Sequence, residues 1–175
     1  MANEQIEVRR LTRDDAQVFY RLRLEALERE PQAFSASPQE HRTLTSDAIA
    51  KRLGSDPEDR SFVLGASCED RFIGMAGFFQ EEGPKNRHKG RIWGVYVTPD
   101  WRRKGVARVL LSEIIRRAHD RPELEQITLS VATSQTAAKQ LYESLGFEVY
   151  GREPHAIKNG DSYVDEDLMV LRLQR

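Results

Sequence analysis

The strongest chemical signal in the chain is the window Val95-Tyr96-Val97-Thr98-Pro99-Asp100-Trp101-Arg102-Arg103-Lys104-Gly105-Val106-Ala107. A strand pattern runs through Thr98-Pro99-Asp100 into three consecutive cations and a glycine, and a helical pattern begins at once. The first amides of a helix lack intrahelical acceptors and carry the positive end of its dipole, so this junction suits an anion. Gly105 and the small Ala107 leave the backbone uncovered, which lets a diphosphate approach those amides. Arg102, Arg103 and Lys104 bring mobile positive charge. An ordinary solvated basic loop is the competing reading. The patterns GxxxxGK[ST] and GxGxxG are absent, which argues against nucleoside triphosphate and dinucleotide sites.

Positioning this junction requires a sheet with helices on it. Ile6-Glu7-Val8 alternates as a strand, and Val18, Phe19, Leu22, Ala26 and Leu27 then form one helical stripe that Thr12 or Asp14 could cap. Pro31 and Pro38 bracket an irregular stretch, followed by a short helix from Ser46 to Leu53 closed by Gly54. Phe62–Leu64 and Phe72–Phe79 read as a hairpin turned at Glu69-Asp70, and Arg91–Val97 as the next strand. The helix from about Gly105 to Ala118 has a broad apolar face: Val106, Val109, Leu110 and Ile114, widened by Leu111, Ile115 and Ala118. Such a face packs flat on a sheet. A strand at Ile127–Val131, a helix at Ser134–Ser144 stopped by Gly146, and strands at Phe147–Gly151 and Tyr163–Leu171 complete the chain. The order β-α-α-β-β-β-α-β-α-β-β predicts an α/β fold with a mixed sheet and helices on its faces. One domain over 1–175 is expected, with its core at about 6–171.

Composition narrows the function classes. The chain has 175 residues, 27 Lys+Arg, 28 Asp+Glu and a net charge of −1. That length suits one domain able to bury a core without disulfides or metal. One cysteine, Cys68, excludes an intrachain disulfide and a multi-cysteine zinc site, and the neighbouring Glu69 and Asp70 disfavour its thiolate. His41 in a polar loop and His119 at a helix end read as ordinary. Balanced charge disfavours nucleic acid as a partner. With no long apolar run and no leader-like segment, the expectation is a cytoplasmic protein with no membrane partner and no metal.

The second informative window is Val131-Ala132-Thr133-Ser134-Gln135-Thr136-Ala137-Ala138-Lys139-Gln140-Leu141-Tyr142-Glu143-Ser144-Leu145-Gly146-Phe147. Together the two windows resemble the Gcn5-related N-acetyltransferase (GNAT) superfamily. Its signature [RQ]-x-x-G-x-[GA] is met by Arg102, Gly105 and Ala107. The later helix pattern A-x-x-L-Y-x-x-x-G-F is met by Ala138, Leu141, Tyr142, Gly146 and Phe147. The resemblance implies a mostly antiparallel sheet with a splayed strand pair, and acetyl-CoA as co-substrate. It places Val95, Tyr96 and Val97 along the pantetheine arm and the amides of Arg103, Lys104, Gly105, Val106, Ala107 and Arg108 on the pyrophosphate. Gln135 and Ala138 fall at further cofactor positions. It also implies a backbone oxyanion contact from Val97 and a catalytic role for Tyr142. A phenol near pKa 10 can protonate a departing thiolate whose thiol has a pKa near 8.5. A tyrosine packed on the sheet with its hydroxyl in water is the alternative.

Two departures from the family pattern stand out. Gln135 replaces a common Asn, and Trp93-Gly94 replaces the strand glutamate that many members use as base. Glu81, Glu82, His88 and His155 are the remaining base candidates. Segments 31–36, with Phe34 as a wall or core anchor, and 153–161 are expected to flank the acceptor. Asp165, Glu166 and Asp167 could attract a cationic amine. The expected activity is direct acetyl transfer to a primary amine of a small molecule, peptide or protein. The alternative is a catalytically weak acyl-CoA-binding or sensor module. Family habit and the edges of the late strands add the expectation of a homodimer.

Overall fold

The structure, a computed structural model, describes residues 5–54 and 56–174. Its strands are β1 (Glu7–Arg10), β2 (Ser61–Cys68), β3 (Arg71–Gln80), β4 (Lys89–Val97), β5 (Gln126–Ala132), β6 (Glu148–Asn159) and β7 (Ser162–Arg172). They form one sheet in the order β1-β2-β3-β4-β5-β7-β6. Every neighbouring pair is antiparallel except β4 and β5, which are parallel. The helices are α1 (Ala16–Arg29), α2 (Pro38–Arg42), α3 (Ser46–Gly54), α4 (Val106–His119) and α5 (Thr136–Ser144).

The apolar runs of β2 and β3 are buried nearly end to end because helices cover both faces of the sheet. On one face α4 sets Val106, Leu110, Leu111 and Ile114 against Leu64, Ile73, Phe78 and Ile92, with Tyr142 of α5 beside them. On the other, α1 and α3 set Phe19, Leu22, Ile49 and Leu53 against Val63, Met75 and Tyr96. Burying the four large side chains of α4 contributes roughly 6–12 kcal/mol as an upper bound. That anchors the helix although its N-terminus has no side-chain cap.

The turn at Glu69 and Asp70 has both residues left-handed, φ 47° and 61°, the sense that matches strand twist in a tight hairpin. Three expectations are corrected, although the stretch between Pro31 and Pro38 is irregular as read; it leads into a further helix, α2, which Ser37 and Glu40 cap reciprocally. This helix buries His41 against Tyr20, with its Nε2 3.0 Å from the Tyr20 carbonyl, rather than leaving it in a polar loop. β6 continues to Asn159 because a register shift between Glu153 and Ile157 lets the hairpin bend and resume pairing. At the start of α1, Asp15, not Asp14, closes the entry turn by accepting the Thr12 amide at 2.7 Å.

The parallel pair opens soon after it forms. β4 meets β5 only through Lys89–Arg91 against Gln126–Thr128. Beyond it β5 follows β7 to Ala132 and β4 follows β3 to Val97, so the two strands splay apart.

Candidate active site

A bulge sets the exposed edge of β4. Trp93 pairs with Gly77 and Tyr96 with Met75, leaving Gly94 and Val95 opposite a single residue, with Gly94 at φ +64°. Past the bulge the Thr98 amide donates to the Ile73 carbonyl at 2.9 Å. Antiparallel alternation then turns the Tyr96 backbone toward β3 and the Val97 backbone toward the splay. The Val97 carbonyl accepts from Arg102 Nε at 3.1 Å, which leaves the Val97 amide as the donor on that edge. Tyr96 thus lines the cleft with its backbone facing β3. Its hydroxyl donates to Glu25 at 2.9 Å on the α1 side, and burial next to that carboxylate pushes the phenol up to about 12.

The basic turn is more organised than three mobile cations. Arg102 is held by the Val97 carbonyl, by Glu30 at 2.8 Å and by the Tyr96 ring at 5.7 Å. Lys104 lies over Trp101, 4.5 Å from the ring centre. Arg108 donates to Ser144 Oγ at 2.7 Å, joining α4 to the end of α5. Arg103 makes no ion pair or hydrogen bond among the described residues, so it is the mobile cation of the turn. Arg103 and Gly105 are both left-handed, φ 63° and 84°. This curl bends successive amides into a concave anion cradle. A side chain at Gly105 would meet nothing within 4 Å, so the backbone there lies open. The amides of Val106, Ala107 and Arg108 precede the first intrahelical bond, made by Val109 to Gly105 at 3.0 Å.

These groups share one cleft of about 520 Å³. The splayed edge supplies Val95, Tyr96 and Val97, the turn supplies Arg102, Arg103 and Gly105 through Arg108, and α5 supplies Gln135, Ala138 and Tyr142. Lys104 does not line it. Tyr142 is 7% exposed, lies edge to face with Phe147 at 6.0 Å, and its hydroxyl has no partner among the described residues. Burial holds its phenol well above the usual range, so it is a neutral donor at neutral pH. Glu30, Ala33, Phe34 and Trp101 also line the cleft. Glu30 was not foreseen, because only the folded chain brings the end of α1 against the basic turn. The cleft combines an open strand edge, apolar walls from Trp101, Val106, Ala138 and Leu141, and an amide cradle, features that suit a long ligand with a phosphate end.

A second cavity of about 540 Å³ is lined by Gln32, Thr133, Ser134, His155, Asp161 and Tyr163, among others. It joins the two segments expected to flank the acceptor. His155 donates its amide to Asp165 at 2.8 Å and stacks on Tyr163 with ring centres 4.4 Å apart. The other base candidates sit elsewhere. Glu81 pairs with Lys89 at the start of β4, and His88 precedes it, roughly 30 Å of strand from Val97. The structure thus separates Glu81, Glu82 and His88 from the cleft.

A seven-stranded sheet that splays at its parallel pair over a helix-terminal cradle defines an N-acyltransferase fold. Residues 18–147 match the acetyltransferase (GNAT) family, and the chain belongs to that family of acetyl-CoA-dependent acetyltransferases. It is 28% identical over 121 residues to L-amino acid N-acetyltransferase AaaT of Escherichia coli, covering 69% of this chain and 72% of that one. It is 32% identical over 88 residues to human N-acetyltransferase 8, half of this chain but only 38% of the human protein. The solved structure of yncA from Salmonella typhimurium with its cofactor acetyl-CoA superposes with a TM-score of 0.79 at 23% identity, over 98% of this chain and 95% of that one. Among the described residues no helix is long and apolar enough to cross a membrane.

Proposed function

We propose that this protein transfers the acetyl group of acetyl-CoA directly to a primary amine of a small molecule. One observation carries the reading: past Arg91 the splay gathers the Val97 amide, the α4 cradle and the Tyr142 hydroxyl around one cleft. Acetyl-CoA, when bound, supplies a thioester carbonyl carbon open to attack by an amine. The amides from Arg103 to Arg108 hold the pyrophosphate, and Arg103 adds charge to it. Val95 and Val97 pair with the pantetheine amides as an added strand would. The Val97 amide donates to the carbonyl oxygen as negative charge grows there, and being fixed in the sheet it needs no reorganisation. The amine forms the C–N bond first, and Tyr142 gives its proton to the departing sulfur as the C–S bond then breaks, a proton from solvent restoring the phenol. The proton lost by the amine leaves toward the cavity lined by His155, Asp161 and Asp165, which also favours a cationic amine on approach.

The relative named for L-amino acids favours a small acceptor. The absence of a carboxylate at Trp93-Gly94 favours the second reading, an acyl-CoA-binding module with weak turnover. Purified protein, acetyl-CoA and a panel of amines separate the two. Amine-dependent release of free thiol above the hydrolysis background supports transfer. CoA binding without such release supports the binding module.

A further inference from the structure

Arg23 projects from α1 against two aromatic rings, 4.9 Å from the centre of Phe34 and 5.6 Å from that of Trp93. Its Nη1 is sealed from solvent and has no hydrogen-bond partner among the described residues. No carboxylate pairs with it among the described residues, and the charged group acting on it, Arg52, shares its sign. Burial and Arg52 pull its guanidinium down to about 10, so it remains charged at neutral pH. Arg23 as a whole is half-buried, but a guanidinium nitrogen withdrawn from water without an anion is unfavourable, and a carboxylate brought by a ligand would offset that cost. The position is informative. A side chain at Gly94 would come within 3.4 Å of Nη1, so the guanidinium packs on the bulge of β4, one residue before Val95 in the cleft.

We infer that the acceptor carries a carboxylate beside its amine and that Arg23 is the residue that binds it. This deepens the proposed acetyl transfer and rests on that reading of the cleft. Two rings packed on the guanidinium leave its donor edge, and such an edge pairs best with a planar, two-oxygen acceptor. From Gly94 to Val97 the strand advances about 10 Å. An amino acid whose carboxylate reaches Arg23 while its amine faces the thioester carbonyl held at the Val97 amide spans about that distance, whereas a peptide's C-terminal carboxylate lies farther from its amine. Phe34 and Trp93 then form apolar walls for the acceptor's side chain. The substrate class is therefore a free amino acid.

The test measures binding and turnover separately. Amino acids, each paired with its own carboxamide, are titrated into the CoA-loaded protein by calorimetry, and the same pairs are assayed for acetyl transfer. The acid of at least one pair is expected to bind at least about tenfold more tightly than its amide. Arg23→Met should erase that preference, Arg23→Lys should restore part of it, and CoA affinity should stay unchanged in both. Equal binding of acid and amide by the unaltered protein, binding of neither, or a preference that survives Arg23→Met overturns the inference. Transfer to amines without regard to a carboxylate would overturn it too, while leaving the acetyltransferase reading intact. A carboxylate preference in binding with no acetyl transfer would instead sustain the Arg23 anchor and defeat the transfer reading.

Discussion

Replacing Tyr142 by phenylalanine separates chemistry from architecture, because the structure sets both sides of the comparison. The hydroxyl has no partner among the described residues, and the ring keeps its edge-to-face contact with Phe147 at 6.0 Å. Deleting an unpaired hydroxyl from a site only 7% exposed changes stability by less than about 1 kcal/mol. The melting temperature should therefore move by no more than about 4 °C. General acid catalysis contributes roughly 10²–10⁴-fold, or about 2.7–5.4 kcal/mol of barrier, and that is the expected fall in rate. Single-turnover mixing with acetyl-CoA is the assay of choice, since product release can mask a chemical defect at steady state. The Michaelis constant for acetyl-CoA should change little. The pH profile adds a second reading. Burial holds the Tyr142 phenol above its ordinary value of 10, so it stays protonated across the usual assay range. Rates of both proteins should climb with pH toward about 10 as the amine loses its proton, with no decline from the phenol. A single-turnover rate within about threefold of the unaltered protein refutes the assignment. So does a fall in rate centred below about pH 9 that disappears in Tyr142→Phe, because the phenol would then ionise in the range that burial forbids.

Gly105→Glu should lower CoA affinity by well over tenfold in calorimetry while the protein still folds, because the added carboxylate enters the open cradle at φ +84°; unchanged affinity in a folded variant would reject the cradle. Arg102→Ala and Glu30→Gln should each raise the Michaelis constant for acetyl-CoA several-fold, since either breaks the 2.8 Å tie between α1 and the basic turn; an effect from one without the other counts against the tie. Asp15, hydrogen-bonded by Arg9 and Thr12, is held down to about 2 against an ordinary 3.8, so it stabilises the fold above about pH 4 and loses that effect between pH 4 and 2. Asp15→Asn should accordingly lower the melting temperature at pH 7, and the gap should close as pH falls through that window; a gap constant with pH would remove the charge from the explanation. A homodimer is expected through the outer strand β6, where Val149 and Tyr150 are exposed, and light scattering at assay concentration should give twice the chain mass.

What was legible in the sequence follows from what the backbone demands. Gly105 announces a left-handed residue at a helix start, Gly146 one at a helix end, and Glu69-Asp70 a tight hairpin, and all three lie at positive φ. The stripe Leu110, Leu111 and Ile114 required a sheet beneath it, and that sheet is there. Failures came where local pattern yields to tertiary contact. The strand pattern from Phe147 stops at Gly151, yet the bend between Glu153 and Ile157 lets β6 resume its pairing. His41 follows a proline and polar residues, but its ring is buried because α2 folds it under Tyr20. The adjacent cations Arg102, Arg103 and Lys104 look equivalent, although Glu30, Trp101 and the Val97 carbonyl give two of them fixed partners.

The two halves of the site differ in the same way. A pantetheine arm and a pyrophosphate can be held by main-chain amides, so the sequence needs only small residues at fixed spacing from a strand end, and that spacing can be read directly. An acceptor is distinguished by side chains, and here they converge from elements far apart in the chain. Arg23 comes from α1, Phe34 from the loop after it, Trp93 from β4 and His155 from the bend in β6. None of these is informative alone: an arginine on an amphipathic helix is ordinary until its Nη1 is found buried and unpaired. The bulge at Gly94 links the halves. By adding a residue to β4 it turns the Val97 amide into the splay, and its backbone packs against the Arg23 guanidinium. A larger residue at 94 should therefore disturb both acetyl-CoA and the carboxylate of the acceptor, whereas changes at Gly105 and at Arg23 should affect one each.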